Sequence, residues 1–497
     1  MTRRLILALI LVTYFVLGGL FAVNTPAWQA PDEPAHYNYI AYVAENGSFP
    51  VLHFGDYPHG YLEQIKAAKF PPGMPITSIK YESHQPPLYY LLTAPVFALT
   101  NGSLVGLRLL SVLLGAGIVL FAYAIARRAA PSDPAIALAA ASVVAFLPQH
   151  LATVSQVGND VLAELLLAAV LFISVQVLDK PDRPGSLRVY LLLGVLLGMI
   201  LVTKTTAYVA IPLALGAVVW RWLQEKPALR RIALESLVVI LPAALIALPW
   251  YVRDIYVYGW PDFLGLIRHE QIVVGQTRTS DFIAENGWPA YWERAAEWTF
   301  KSFFGVFGWM GVWLDSRVYY LAGIWLATPV LAALIAGIVR RGNLQEEGVE
   351  RQNSIYAFLA VAILLTLLTY AYYNVTFLQH QGRYLFTALI PIAIFLALGW
   401  RAAFRPRVGR ILAVALIAWS TLLGVWSIAT GHGLPKWPLG ITLAFAVGIA
   451  VATLLPEHTR KWFYALPFAL LPLVALYALF GAIVPALSPI TNGGSRS

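Results

Sequence analysis

Long apolar runs alternate with short basic connections over most of this chain, and two polar stretches interrupt the pattern. Runs of roughly 17 to 23 mostly apolar residues suit helices that cross a hydrocarbon layer about 30 Å thick. They predict thirteen spans, near 5–23, 104–126, 135–149, 160–178, 188–203, 207–222, 233–250, 319–339, 354–374, 384–400, 411–429, 438–455 and 462–484. The period-two alternation of a membrane barrel is absent. Pro86 to Thr100 is apolar and helical, but it is short and opens on two prolines, so it reads as an interfacial or re-entrant helix. The expectation is an all-α polytopic membrane protein with two large loops, about 24–85 and 251–318, that carry interfacial helices. Its parts are a membrane module over 1–250 that includes the first loop, the aromatic second loop 251–318, and C-terminal spans over 319–497.

The positions of the charges give this reading a direction. Arg3 and Arg4 precede the first span, and Arg127, Arg128, Lys180, Arg183, Arg221, Lys226, Arg340, Arg341, Arg401, Arg405, Arg460 and Lys461 fall in alternate short connections. Basic residues concentrate on the cytoplasmic side, so the N-terminus is expected there, with both long loops outside the cell membrane. The net charge of +9 is therefore a topology signal and not a nucleic-acid footprint. Only 12% of the 497 residues are charged and 59% are hydrophobic, about half the charged share of a soluble domain. Met1 to Val23 reads as a retained anchor, because Ala27-Trp28-Gln29-Ala30 is a poor cleavage site. With no cysteine, disulfides and thiolate metal sites are excluded.

Chemistry, if the chain performs any, is expected at the outer membrane edge. The stretch WQAPDEPAHYNYIAYVAENGSFPV, Trp28 to Val51, sets Asp32 and Glu33 between two prolines directly after the first span. Pro34 suits a helical first turn, and Asn46-Gly47 suits its end. The acids can serve as a general base or as metal ligands; they can equally cap the helix. His36 follows, and His84 closes the first loop, so Asp32, Glu33 and His84 form a candidate set for a divalent cation. The alternative for each histidine is a hydrogen-bonded surface role. Asp160 and Glu164 share one face at the start of the fourth span, as a cavity pair or as helix-capping residues. Lys204, Arg253 and Arg383 can hold a lipid phosphate or snorkel to headgroups. The aromatic run Trp288 to Trp313 reads as an interfacial anchor, with sugar stacking as the lesser alternative.

PDEPAHYNY, then HQPPLYYLL, with an acid after the third span, resembles the GT-C superfamily of polytopic glycosyltransferases. The likeness is to the bacterial branch related to protein O-mannosyltransferases and lipid A aminoarabinose transferases. It extends to Lys204 in its Thr-Lys setting, to PWYVRDIYVYG and to GRYLF, which brings in Tyr384 beside Arg383. The resemblance implies a sugar donor linked to polyprenyl phosphate and transfer with inversion. It implies Asp32, Glu33 and Asp160 as catalytic acids, and His36, His84, Lys204, Arg253, Arg383 and Tyr384 as substrate-binding residues. It leaves open a divalent metal, and an acceptor that is protein, glycan or lipid. The rival reading from another class is a transporter or flippase of lipid-linked sugars; the chain lacks the internal repeat that such folds tend to carry.

Overall fold

The computed structural model describes residues 3–179, 186–339 and 347–488. Lys180, Arg183, Arg340 and Arg341, expected in cytoplasmic connections, lie outside the described residues. Among the described residues the regular structure is helical, apart from a two-stranded hairpin, Val306–Phe307 paired antiparallel with Val312–Trp313, and an isolated bridge between Arg278 and Phe377.

Every one of the expected spans coincides with a helix. Among the described residues eleven are long and apolar enough to cross a membrane, from Arg3–Asn24 to Glu457–Leu487. The expected count of thirteen is therefore not reached, because Pro134–Phe146 and Leu187–Leu201 have 13 and 15 residues. The first shortfall has a local cause. Pro148 disfavours the helical conformation at the residue before it, and Leu147 is extended (φ −60°, ψ 118°), so the chain breaks and restarts as Pro148–Thr153. The second helix stops at Leu201, and the next begins with a 3-10 turn at Thr205–Val209. Leu88–Leu99, the predicted interfacial helix, has 12 residues.

The two long loops pack against each other. The first contains helices Glu33–Asn46 and His59–Ala67; the second contains Leu266–Ile272 and Thr279–Phe304. Arg253 donates to the Pro50 carbonyl (2.7 Å), the Tyr258 hydroxyl accepts from the Leu52 amide (3.2 Å), and Trp309 Nε1 donates to the Trp28 carbonyl (3.1 Å). Trp309 also stacks on Phe70 and lies under Lys66. These ties place both loops on one face of the bundle.

Close helix packing depends on small residues, as it must where lipid surrounds the bundle. At Gly194 a Cβ would lie 2.3 Å from the Val239 carbonyl oxygen of the neighbouring helix Leu229–Tyr258; at Gly216 it would meet nothing within 4 Å. Gly194→Ala is expected to lower the thermal unfolding midpoint of the detergent-solubilised protein, because two backbones must separate. Gly216→Ala is expected to leave it unchanged or raise it slightly, since alanine favours a helix by roughly 0.5–1 kcal/mol over glycine. Equal effects at the two positions would show that this helix contact does not limit stability.

Candidate active site

The adjacent acids at the start of the first loop have different fates. Glu33 is fully buried. Its Oε1 and Oε2 accept from Arg108 Nε (2.8 Å) and Nη2 (2.6 Å), and also from the amides of Val157 (3.1 Å) and Trp28 (3.2 Å). Arg108, itself buried, donates further to the carbonyls of Ala22, Thr25 and Pro26. This junction joins the first span, the helix after it and the span Leu104–Ala129.

Asp32 is held next to that junction with its side chain outside it. It occupies the position before helix Glu33–Asn46, yet its side chain makes no capping hydrogen bond and its backbone is left-handed (φ 69°). The helix ends as expected at Gly47, whose amide bonds to the Val43 carbonyl. The Asp32 carboxylate instead accepts from the Tyr81 hydroxyl (2.8 Å) and meets Arg383 Nη2 at 3.4 Å, and a third of the side chain is exposed. Burial and the Asp32 charge push the Tyr81 hydroxyl well above the usual tyrosine range, so it stays protonated and donates. Trp28, Asp32, Trp309 and Met310 all have positive φ, a conformation that costs about 1 kcal/mol or more for such residues and collects at functional sites.

A second ion pair adjoins the first. Lys204 Nζ lies 2.7 Å from Asp160 Oδ1, and the Asp160 charge reaches Arg383 as well. Lys204 is extended in the turn between two helices, a turn tied by the Tyr208 and Tyr251 hydroxyls donating to the Leu201 carbonyl (2.9 and 3.1 Å). Arg383 opens the 3-10 turn Gly382–Ala388. Gly382 lies so close to helix Thr279–Phe304 that a Cβ there would be 2.3 Å from the Phe303 nitrogen; its amide donates to Ser302 Oγ (2.7 Å). Only glycine fits, and this close approach delivers Arg383 to Asp32. Tyr384 lies beneath the Arg383 guanidinium, 5.5 Å to the ring centroid.

Other candidates lie around this cluster. His36 is buried and shares a 2.8 Å hydrogen bond with the Tyr90 hydroxyl; its pKa is lowered by burial, against the pull of Glu82, Asp32 and Asp160. His84 packs on the His269 ring (4.3 Å between centroids), with Nδ1 3.2 Å from the Tyr81 carbonyl oxygen. Burial, then the His269 charge, holds its pKa well below the ordinary 6.5. Arg253 is committed elsewhere, to Asp254 (2.8 Å), the Pro50 carbonyl and the Trp250 ring. Asp32, Glu33 and His84 do not converge: among the described residues no three histidines or acids are placed to hold a metal ion, and Arg108 occupies the Glu33 carboxylate. Glu164 pairs with His150 (3.1 Å) away from the Lys204 contact. Arg108, Tyr81 and His269 went unmarked in the sequence. Of these, Arg108 had a signal, an arginine alone inside an apolar span.

Beside the cluster lies a small, partly open cavity. Pro31 and Arg383 form part of its wall, and the hairpin residues Phe307 and Met310 close it.

Comparison with known proteins agrees with this architecture. The family described as dolichyl-phosphate-mannose-protein mannosyltransferase matches residues 84–250. The apo structure of ArnT from Cupriavidus metallidurans aligns with a TM-score of 0.52 at 16% identity, over 97% of this chain and 76% of that one. Over residues 84–250 the chain is similar to that family, and its fold is similar to that of ArnT. The same ArnT bound to undecaprenyl phosphate aligns at a TM-score of 0.48, with the same identity and coverage. The apo oligosaccharyltransferase of Archaeoglobus fulgidus aligns at 0.45 and 13% identity, over 92% of this chain and 56% of that one. No curated protein matches the sequence.

Two outcomes follow from the buried groups. Arg108→Met leaves the Glu33 charge buried without its cation, a loss of roughly 3–5 kcal/mol. Folded protein recovered by size-exclusion chromatography should fall sharply, and a wild-type yield and melting temperature would contradict the junction's role. His84 is held neutral in the folded chain, whereas an unfolded chain takes up its proton near pH 6.5. Its contribution is therefore complete above that pH and is lost as pH falls below it. The unfolding midpoint should drop between pH 7.5 and 5, and His84→Gln should reduce the drop; an identical drop would contradict the assignment.

Proposed function

We propose that this chain is a GT-C glycosyltransferase that moves a sugar from a polyprenyl-phosphate donor to an acceptor hydroxyl, with inversion, at the extracytoplasmic face of the cell membrane. The observation that carries the reading is the pairing of a partly exposed, strained Asp32 with Arg383, beside Asp160 with Lys204, at the edge of a cavity.

Each residue then has a task. Asp32 accepts the proton of the acceptor hydroxyl as its oxygen attacks the anomeric carbon and the bond from that carbon to the phosphate oxygen breaks. Polyprenyl phosphate departs as a stable anion, so no acid is needed to protonate it; a glycosidase would need two cooperating carboxylates. Arg383 and Lys204 hold the phosphate as its charge grows. The 3.4 Å contact between Arg383 and Asp32 is longer than the roughly 2.7–2.9 Å of a strong charge-assisted bond. Arg383 can therefore turn to a phosphate at small cost and leave Asp32 free as a base. Glu33 positions Asp32 through Arg108. Asp160 keeps Lys204 in place and orients the acceptor. His36, Tyr384 and His84 shape the site. The match to a dolichyl-phosphate-mannose-dependent family supports a lipid-phosphate donor, and the acceptor hydroxyl can belong to a protein, a glycan or a lipid. No step is assigned to a metal ion, since the Asp32, Glu33 and His84 set does not assemble.

Release of polyprenyl phosphate from a polyprenyl-phosphate sugar, in the presence of a membrane-extract acceptor, is the direct assay. Asp32→Asn should lower the rate by about 10²–10⁴ at matched folded yield, the usual contribution of a general base. Wild-type turnover by this variant would remove Asp32 from that role.

A further inference from the structure

The cavity beside Asp32 has a composition that no step above uses. Alongside Thr25 and Gln381, three glutamines and two hydroxyl residues line it more deeply: Gln29, Gln149, Gln156, Thr153 and Ser155. All five are at least nine-tenths buried. Gln149 is held in place, its Oε1 accepting from the Val306 amide (2.8 Å) in the hairpin. Thr153 donates to the Gln149 carbonyl (2.9 Å). Two polar atoms have no partner in the protein, Gln29 Nε2 and Ser155 Oγ. Leaving buried donors unpaired costs roughly 1–3 kcal/mol each, so they point to a ligand that pairs with them.

The charges on the wall narrow the class of ligand. Arg108 and Arg383 reach the cavity, while their partners Glu33 and Asp32 are not among its lining residues. Among the described residues none that lines the cavity is an acid. Neutral amides and hydroxyls can exchange hydrogen bonds with ring hydroxyls, and Phe307 and Met310 offer apolar surface to a ring face. An ammonium group in the same space would meet two guanidinium groups and no lining carboxylate to pair with it.

We infer that this cavity is the subsite for an uncharged, hydroxyl-rich sugar ring and selects against amino sugars, with Gln29 and Ser155 as specificity-determining residues. The inference rests on the sugar-transfer reading and names the class of sugar. Arg383 is shared between the cavity wall and the Asp32 contact, so a ring seated here has one edge at the reacting centre. The ring can belong to the donor or to a glycan acceptor; the chemistry is the same.

Equilibrium binding tests this independently of turnover, and so separates its failure from that of the catalytic reading. The full chain in nanodiscs is titrated with undecaprenyl-phosphate glucose and with undecaprenyl-phosphate 4-amino-4-deoxyarabinose. A second arm uses the methyl glycosides of the same two sugars with undecaprenyl phosphate present. Wild type is expected to prefer the neutral sugar at least tenfold in one arm. The lipid-linked arm identifies the donor ring, and the glycoside arm an acceptor ring. Gln29→Glu should shrink or reverse that preference and Ser155→Ala should weaken neutral-sugar binding, while Asp32→Asn should retain the preference. Equal or stronger binding of the amino sugar by wild type in both arms would overturn the inference. So would a preference that Gln29→Glu leaves unchanged.

Discussion

The structure depends on one buried ion pair, Glu33 with Arg108. Four hydrogen bonds converge on the carboxylate, and the guanidinium extends to three carbonyls at the end of the first span. An apolar contact of similar volume could match such a pair in stability. It could not fix the angles at which four chain segments meet, because dispersion is nearly indifferent to direction and paired forks are not. The residues on either side of Glu33 inherit that geometry. Asp32 is turned into a left-handed conformation and toward Tyr81 and Arg383, and His36 is turned inward to Tyr90.

From that junction the candidate site is assembled by parts distant in sequence. Lys204 arrives from a turn between two membrane helices and Arg383 from a glycine that touches a helix of the second loop. Asp160 arrives at the head of the helix Asp160–Asp179. The two carboxylate–cation pairs differ in tightness, 2.7 Å for Lys204 with Asp160 and 3.4 Å for Arg383 with Asp32. The loose pair is the one beside the cavity, which suits a cation that changes partner when a phosphate arrives.

Much of this could be read from residues alone, for reasons that differ by element. The spans were legible because lipid requires long apolar helices, and the end of helix Glu33–Asn46 because glycine takes positive φ at little cost. The short helices Pro134–Phe146 and Leu187–Leu201 were not: an apolar run does not say where within it the backbone turns, although Pro148 marked one break. The grouping of Asp32, Asp160, Lys204 and Arg383 followed motifs. The division of labour between Asp32 and Glu33 did not, because adjacent acids look alike until the partner 75 residues away is seen. Arg253 looked like a phosphate ligand and serves as a brace, since the carbonyls it meets carry no side-chain signature. The His84–His269 contact and the cavity arise from the packing of two loops, and no local pattern encodes that.

The most direct measurement is a cryo-EM structure of the protein with undecaprenyl phosphate. The account predicts phosphate oxygens at roughly 3 Å from both Arg383 and Lys204, with the Arg383 contact to Asp32 broken and the Glu33–Arg108 pair unchanged. A headgroup seated away from both cations, with Arg383 still on Asp32, would contradict it.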